Sequence, residues 1–97
     1  MPKGYVIFTE DIKDQDGMFA YFGAAAATMG EGGASVLVVD PAPKVLEGEW
    51  HGSQTVVLEF ESVEAARAWY ESPAYTEAKA LRQAACDTNA VIVAGFG

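Results

Sequence analysis

The chain has 97 residues and a formal net charge of −8, with 14 Asp and Glu against 6 Lys and Arg and a single His. That length fits one domain over 1–97 with no second core, and a hydrophobic content of 51% excludes disorder despite the charge. The acidic balance argues against nucleic acid or an anionic membrane as partner, the lone Cys86 cannot make an intrachain disulfide, and neither a membrane span nor a signal-peptide core is visible, so a cytoplasmic protein is expected.

Gly4 to Glu10 is β-branched and aromatic and predicts a first strand, with Tyr5, Ile7 and Thr9 on one face and Val6, Phe8 and Glu10 on the other. Asp14 to Gly17 offers helix-start residues, acidic side chains being favoured at the positive end of the helix dipole. Met18, Phe22, Ala25/Ala26 and Met29 follow at helical spacing, so a helix over 16–29 should bury that stripe and end at the glycines of 30–33. Ala34 to Asp40 predicts a second strand, stopped by Pro41 and Pro43, which have no amide donor for the ladder. Residues 41–54 form a long excursion with room for a short strand through Lys44-Val45-Leu46; connections this long in a small domain are often functional or serve an interface. Thr55 to Phe60 predicts a third strand. Ser62 is a good N-cap for a helix carrying Val63, Ala66 and Trp69/Tyr70 on one side. Ser72-Pro73 breaks that helix, and its second half, 75–86, should bury Ala78, Leu81 and Ala85. Asp87 to Asn89 reads as a turn into a last strand over 90–94.

The order strand–helix–strand–strand–helix–strand is the ferredoxin-like split βαβ arrangement, an α+β fold with a four-stranded antiparallel sheet and a second helix split at Pro73. Both faces of its strands are apolar, for example Val36 and Val38 against Leu37 and Val39, or Val56 and Leu58 against Val57. Right-handed crossovers put both helices on one side of the sheet. The other face then calls for a second copy, giving a homodimer by sheet-to-sheet packing. Covering roughly 600 Å² of apolar surface is worth on the order of 15 kcal/mol before association costs. A monomer with an unusually apolar exposed sheet is the alternative.

The run 59–75, with Trp69-Tyr70 and Ser72-Pro73-Ala74-Tyr75, followed by Arg82 and preceded by Val45-Leu46-Glu47-Gly48-Glu49-Trp50, resembles the DUF1330 family of the dimeric α+β barrel superfamily. The resemblance spans nearly the whole chain and implies a homodimeric barrel with a small pocket between sheet and helices. It implies no activity. Superfamily relatives include cofactor-free monooxygenases, haem-degrading enzymes, muconolactone isomerases and stress-response proteins, so fold alone does not choose among chemistries.

His51 has the only side chain whose ordinary pKa lies near neutrality, and it neighbours Glu49 and Trp50. It is either a proton carrier, with Glu49 orienting it and Trp50 as a pocket wall, or an exposed loop histidine. Arg82 stands among Ala, Leu and Gln; it can clamp a substrate carboxylate or pair with an acid of the chain, and the family resemblance favours the clamp. Arg67, spaced from Glu64 and Glu71 for surface ion pairs, reads as structural. Tyr70 and Tyr75 flank the helix break and can orient a ligand or serve as core aromatics, with Tyr21 and Phe22 on the opposite wall, while Trp69 reads as core.

No metal site is expected, since one His and one Cys far apart lack partner ligands and the acids of 11–16 lack a calcium-loop Glu. Cys86 is expected to be buried and inert. The expected function is a homodimer binding a small, partly apolar organic acid between Tyr21, Trp50, Tyr70 and Tyr75, anchored by Arg82 and His51. Any catalysis would be cofactor-free proton transfer, isomerisation or hydrolysis. A non-catalytic stress or accessory dimer is the second reading, and a cofactor-independent monooxygenase the third.

Overall fold

β1 (Gly4–Ile12) alternates buried and half-buried residues along most of its length and pairs antiparallel on both sides, which makes it central. A computed structural model describes residues 2–97. After β1 come α1 (Gln15–Gly32), β2 (Ser35–Asp40), β3 (Gln54–Phe60), α2 (Val63–Glu71), α3 (Pro73–Ala85) and β4 (Cys86–Ala94). The four strands lie in the order β2-β3-β1-β4, all neighbours antiparallel, so the ferredoxin-like α+β arrangement with a helix broken at Pro73 is present.

Local chemistry sets most of the element ends. Asp14 accepts the Gly17 N–H at the start of α1. At its end Gly33, at φ 76°, takes the left-handed C-cap conformation, so the helix runs through Gly30 and Gly32 rather than stopping at Met29. Ser72 closes α2 and opens α3 at once: its hydroxyl donates to the Trp69 carbonyl and accepts from the Tyr75 N–H. Pro73 occupies the first turn of α3, where its missing donor costs nothing.

Several expectations are corrected. Asp87-Thr88-Asn89 is no turn: these residues pair with Asp11, Glu10 and Thr9, so β4 begins at Cys86. Residues 41–53 contain no strand. The buried stripe of α1 is Met18, Tyr21, Ala25 and Thr28, which leaves Phe22 and Met29 half-buried. In α3, Leu81 is 41% exposed and Arg82 takes the inward place, because Ala78, Arg82 and Ala85 share one helical face.

The helices cover one side of the sheet, where Val6, Phe8, Leu58 and Phe60 are buried beneath Met18, Ala66 and Trp69. On the other side Tyr5, Ile7 and Thr9 are half-buried and Val91 and Val93 exposed. β2 is open on both sides. Its register sets Val36 against Leu58 and Val39 against Val56, hence toward the helix side, yet each is 54% exposed because no helix reaches that edge. A bulge at Leu37 shifts the pairing there.

Candidate functional site

The helix break brings a polar group into an aromatic layer. Beyond Ser72, Tyr75 turns inward and packs on Trp69, with ring centroids 4.0 Å apart, and lies 5.6 Å from the Tyr70 ring. Its hydroxyl shares a 2.7 Å hydrogen bond with the Tyr21 hydroxyl of α1. Burial pushes the pKa of both phenols up, so both stay protonated at neutral pH. Two turns beyond Tyr75, Arg82 lays its guanidinium 5.0 Å from the centroid of Phe8 and 5.9 Å from that of Tyr21.

Arg82 is only 3% exposed. Its Nε has no hydrogen-bond partner, and among the described residues no carboxylate lies within 4.0 Å of the guanidinium. Burial opposes its charge, while the Tyr75 and Tyr21 hydroxyls favour it. An acid is buried in the same layer: Glu10, 1% exposed, whose Oε1 accepts a 2.8 Å hydrogen bond from Gln54 Nε2. Desolvation raises the Glu10 pKa, and the Gln54 hydrogen bond and the Arg82 charge only partly offset it. A buried arginine is rare unless paired, and among the described residues this one has no carboxylate partner.

A cavity of about 380 Å³ opens between α3 and β4, lined by Tyr70, Arg82, Cys86, Asp87, Thr88 and Ala90 among others. A second space of about 380 Å³ adjoins it along β4 and α2, sharing Tyr70 and Ala90 and adding Arg67. Arg67 makes no ion pair with Glu64 or Glu71 among the described residues, contrary to its helical spacing. Burial raises the Cys86 thiol, which accepts from the Thr88 hydroxyl, so it is no ready nucleophile.

His51 belongs elsewhere. Its Nδ1 shares a 2.8 Å hydrogen bond with the Thr9 hydroxyl, and its Nε2 lies 3.5 Å from the Asp87 carboxylate. Thr9 and Asp87 both lie on the side of the sheet away from the helices, by the register of β1 with β4. Trp50 donates to Thr55 on that same side and is half exposed. Glu49 is exposed and makes no hydrogen bond among the described residues, so Asp87 takes the orienting place expected of it. The single pocket expected from the sequence therefore divides across the sheet: Tyr70 and Arg82 line the helix-side cavity, Tyr21 and Tyr75 back it, and Glu49, Trp50 and His51 lie apart.

Residues 3–96 match DUF1330, described as a domain of unknown function. The chain belongs to this family. No curated protein matches it. Among solved structures, a protein of unknown function from Rhodopseudomonas palustris is similar at 18% identity and a TM-score of 0.81, over 99% of this chain and 84% of that one. A cofactor-independent oxygenase from Streptomyces nogalater, SnoaB, is similar at 9% identity and a TM-score of 0.70, over 100% of this chain and 96% of its own. A dimeric ferredoxin-like protein of unknown function from Thermobifida fusca reaches a TM-score of 0.62 at 16% identity, over 96% of this chain and 91% of that one. Identities this low establish the shared fold and no activity.

Within this DUF1330 fold, the sequence alone passed over Glu10, Gln54 and Thr88. Glu10 did leave a signal: it falls in phase with Val6 and Phe8, the face that turns out buried. A carboxylate on an apolar face marks a group that needs a partner. Gln54 and Thr88 left none, since only the strand register sets them on either side of Glu10.

Proposed function

We propose that this one-domain DUF1330 chain is a homodimeric binding protein for a small organic carboxylate, held between α3 and β4 by Arg82. One observation carries the reading: a guanidinium almost wholly buried, with an unpartnered Nε and no carboxylate in reach, beside an open cavity. Leaving a buried donor unmade costs about 1–3 kcal/mol, more for a charged group, and a ligand carboxylate can satisfy Nε and a terminal nitrogen together. Tyr70 walls the cavity, the Tyr21–Tyr75 pair backs the guanidinium, and Thr88 adds a hydroxyl to the lining. Dimerisation would cover the open sheet face, with Val38, Val57 and Val91 meeting their counterparts, and the half-exposed Trp50 and His51 would then lie at the interface. Free Cys86 suits the reducing cytoplasm. No helix among the described residues is long and apolar enough to cross a membrane.

Thermal shift with a panel of short carboxylates tests this reading, since a ligand at 100 times its Kd stabilises by about 2.7 kcal/mol. Acetate, propionate and lactate should raise the melting temperature of the wild type and leave Arg82→Met unmoved. A null result for every acid would leave a non-catalytic accessory dimer as the better reading.

A further inference from the structure

Glu10 and Arg82 lie in one buried layer, are of opposite charge, and do not touch. Gln54 from β3 donates to the Glu10 carboxyl and Thr88 of β4 lies opposite it in the register, while Arg82 from α3, Tyr21 from α1 and Cys86 at the start of β4 are the titratable groups near enough to act on it through charge. Only Arg82 is charged among them, because both the thiol and the phenol are held in their neutral forms by burial. Within the buried layer one cation therefore stands against one carboxylate; Asp87, which also lines the cavity, keeps its side chain 72% exposed and beside His51. Seating an anion on Arg82 adds a second negative charge to a layer in which Arg82 and Glu10 are already almost wholly buried. Two carboxylates sharing one guanidinium in such a place do not both stay ionised. One must take a proton, and it is the one with no direct contact to the cation.

We propose that this site takes up a carboxylic acid as an anion plus a proton, the anion on Arg82 and the proton on Glu10, with Gln54 positioning the Glu10 carboxyl. The inference rests on Arg82 as the anion's partner. No covalent bond forms or breaks in the ligand: its carboxylate gains hydrogen bonds from the guanidinium, and a solvent proton adds to Glu10. Oε1 already accepts from Gln54 Nε2, which leaves Oε2 for the proton. Burial, which disfavours the Glu10 carboxylate even before the anion arrives, works in the same direction. The site thus discriminates in favour of weak acids offered at mildly acidic pH.

Calorimetric titration of the full chain with sodium acetate, in PIPES and in imidazole near neutral pH, reads proton uptake from the difference in apparent heat. About one proton per bound acetate is expected, with Kd rising toward tenfold per pH unit once Glu10 is ionised in the free protein. Glu10→Gln keeps an oxygen for Gln54 and should bind acetate with no proton uptake and a flat pH profile. Should that variant fold poorly, carbon NMR of the wild-type Glu10 carboxyl serves instead: its titration midpoint should move to higher pH when acetate saturates the site. Acetate binding without proton uptake, uptake that persists in Glu10→Gln, or an unmoved midpoint overturns the role of Glu10 and leaves the anion site standing. No acetate binding at any pH overturns the anion site and the linkage with it.

Discussion

Replacing Arg82 with methionine distinguishes a ligand-binding arginine from a structural one. Methionine keeps much of the aliphatic stem that packs against Phe8 and Tyr21 but removes the guanidinium with its unpartnered Nε. Relief of that orphaned donor is worth about 1–3 kcal/mol. Against it stand the lost contacts over the rings at 5.0 and 5.9 Å, together about 1–2 kcal/mol at a desolvated site. The balance is a gain of about 0.5 kcal/mol, which in a domain of this size raises Tm by about 2–4 °C. The gain should be larger at acid pH, where Glu10 carries its proton and no longer draws on the guanidinium's field. Urea denaturation measures it, at one fixed protein concentration because self-association would otherwise shift the midpoint. A loss of more than about 2 kcal/mol in Arg82→Met would refute the reasoning. It would mean that the guanidinium holds the fold together, as buried charges do when their partners depend on them.

Other changes test the surrounding framework. Tyr75→Phe should cost about 1–2 kcal/mol by stranding the buried Tyr21 hydroxyl, and Tyr21→Phe added to it should recover part of that loss in a double-mutant cycle; strictly additive costs would deny the 2.7 Å bond. Gly52→Ala should lower stability by about 2 kcal/mol or more, because Gly52 sits at φ 75° and an added Cβ would lie 2.4 Å from the Glu10 carbonyl; an unchanged melting curve would contradict that packing. Val91→Glu, on the open face, should leave the circular dichroism spectrum intact and abolish the proposed self-association in sedimentation, whereas self-association undiminished by the change would exclude that face as the interface. Because burial raises the Glu10 pKa above its unfolded value, the stability this group contributes is present below the unfolded pKa and lost as pH rises through the folded one. Glu10→Gln should therefore gain on wild type as pH rises across that window, and parallel stability curves would show that Glu10 titrates alike in both states.

Much of this protein was legible one element at a time. Ser62 and Asp14 as caps, the break at Pro73 and the two faces of β1 follow from side chains and their immediate neighbours. The misread segments share a cause. Asp87 to Asn89 has turn-forming composition, yet the ladder to β1 supplies backbone partners along its length and overrides local preference. Leu81 is the more apolar residue, but Arg82 is in helical phase with Ala78 and Ala85 and so faces inward.

The site divides in the same manner. Periodicity and capping determined the fold class, the split helix and the presence of an arginine among small apolar residues. Only the folded chain decided that Arg82 has a cavity beside it and a second buried charge nearby, and that His51 joins Thr9 and Asp87 across the sheet instead. Those relations join residues some 40 or more positions apart, such as Glu10 with Gln54 and Thr9 with His51, separated by 44 and 42. The strand members of these pairs, Thr9, Glu10 and Gln54, are set by register, and a shift of one residue would send them to the opposite face.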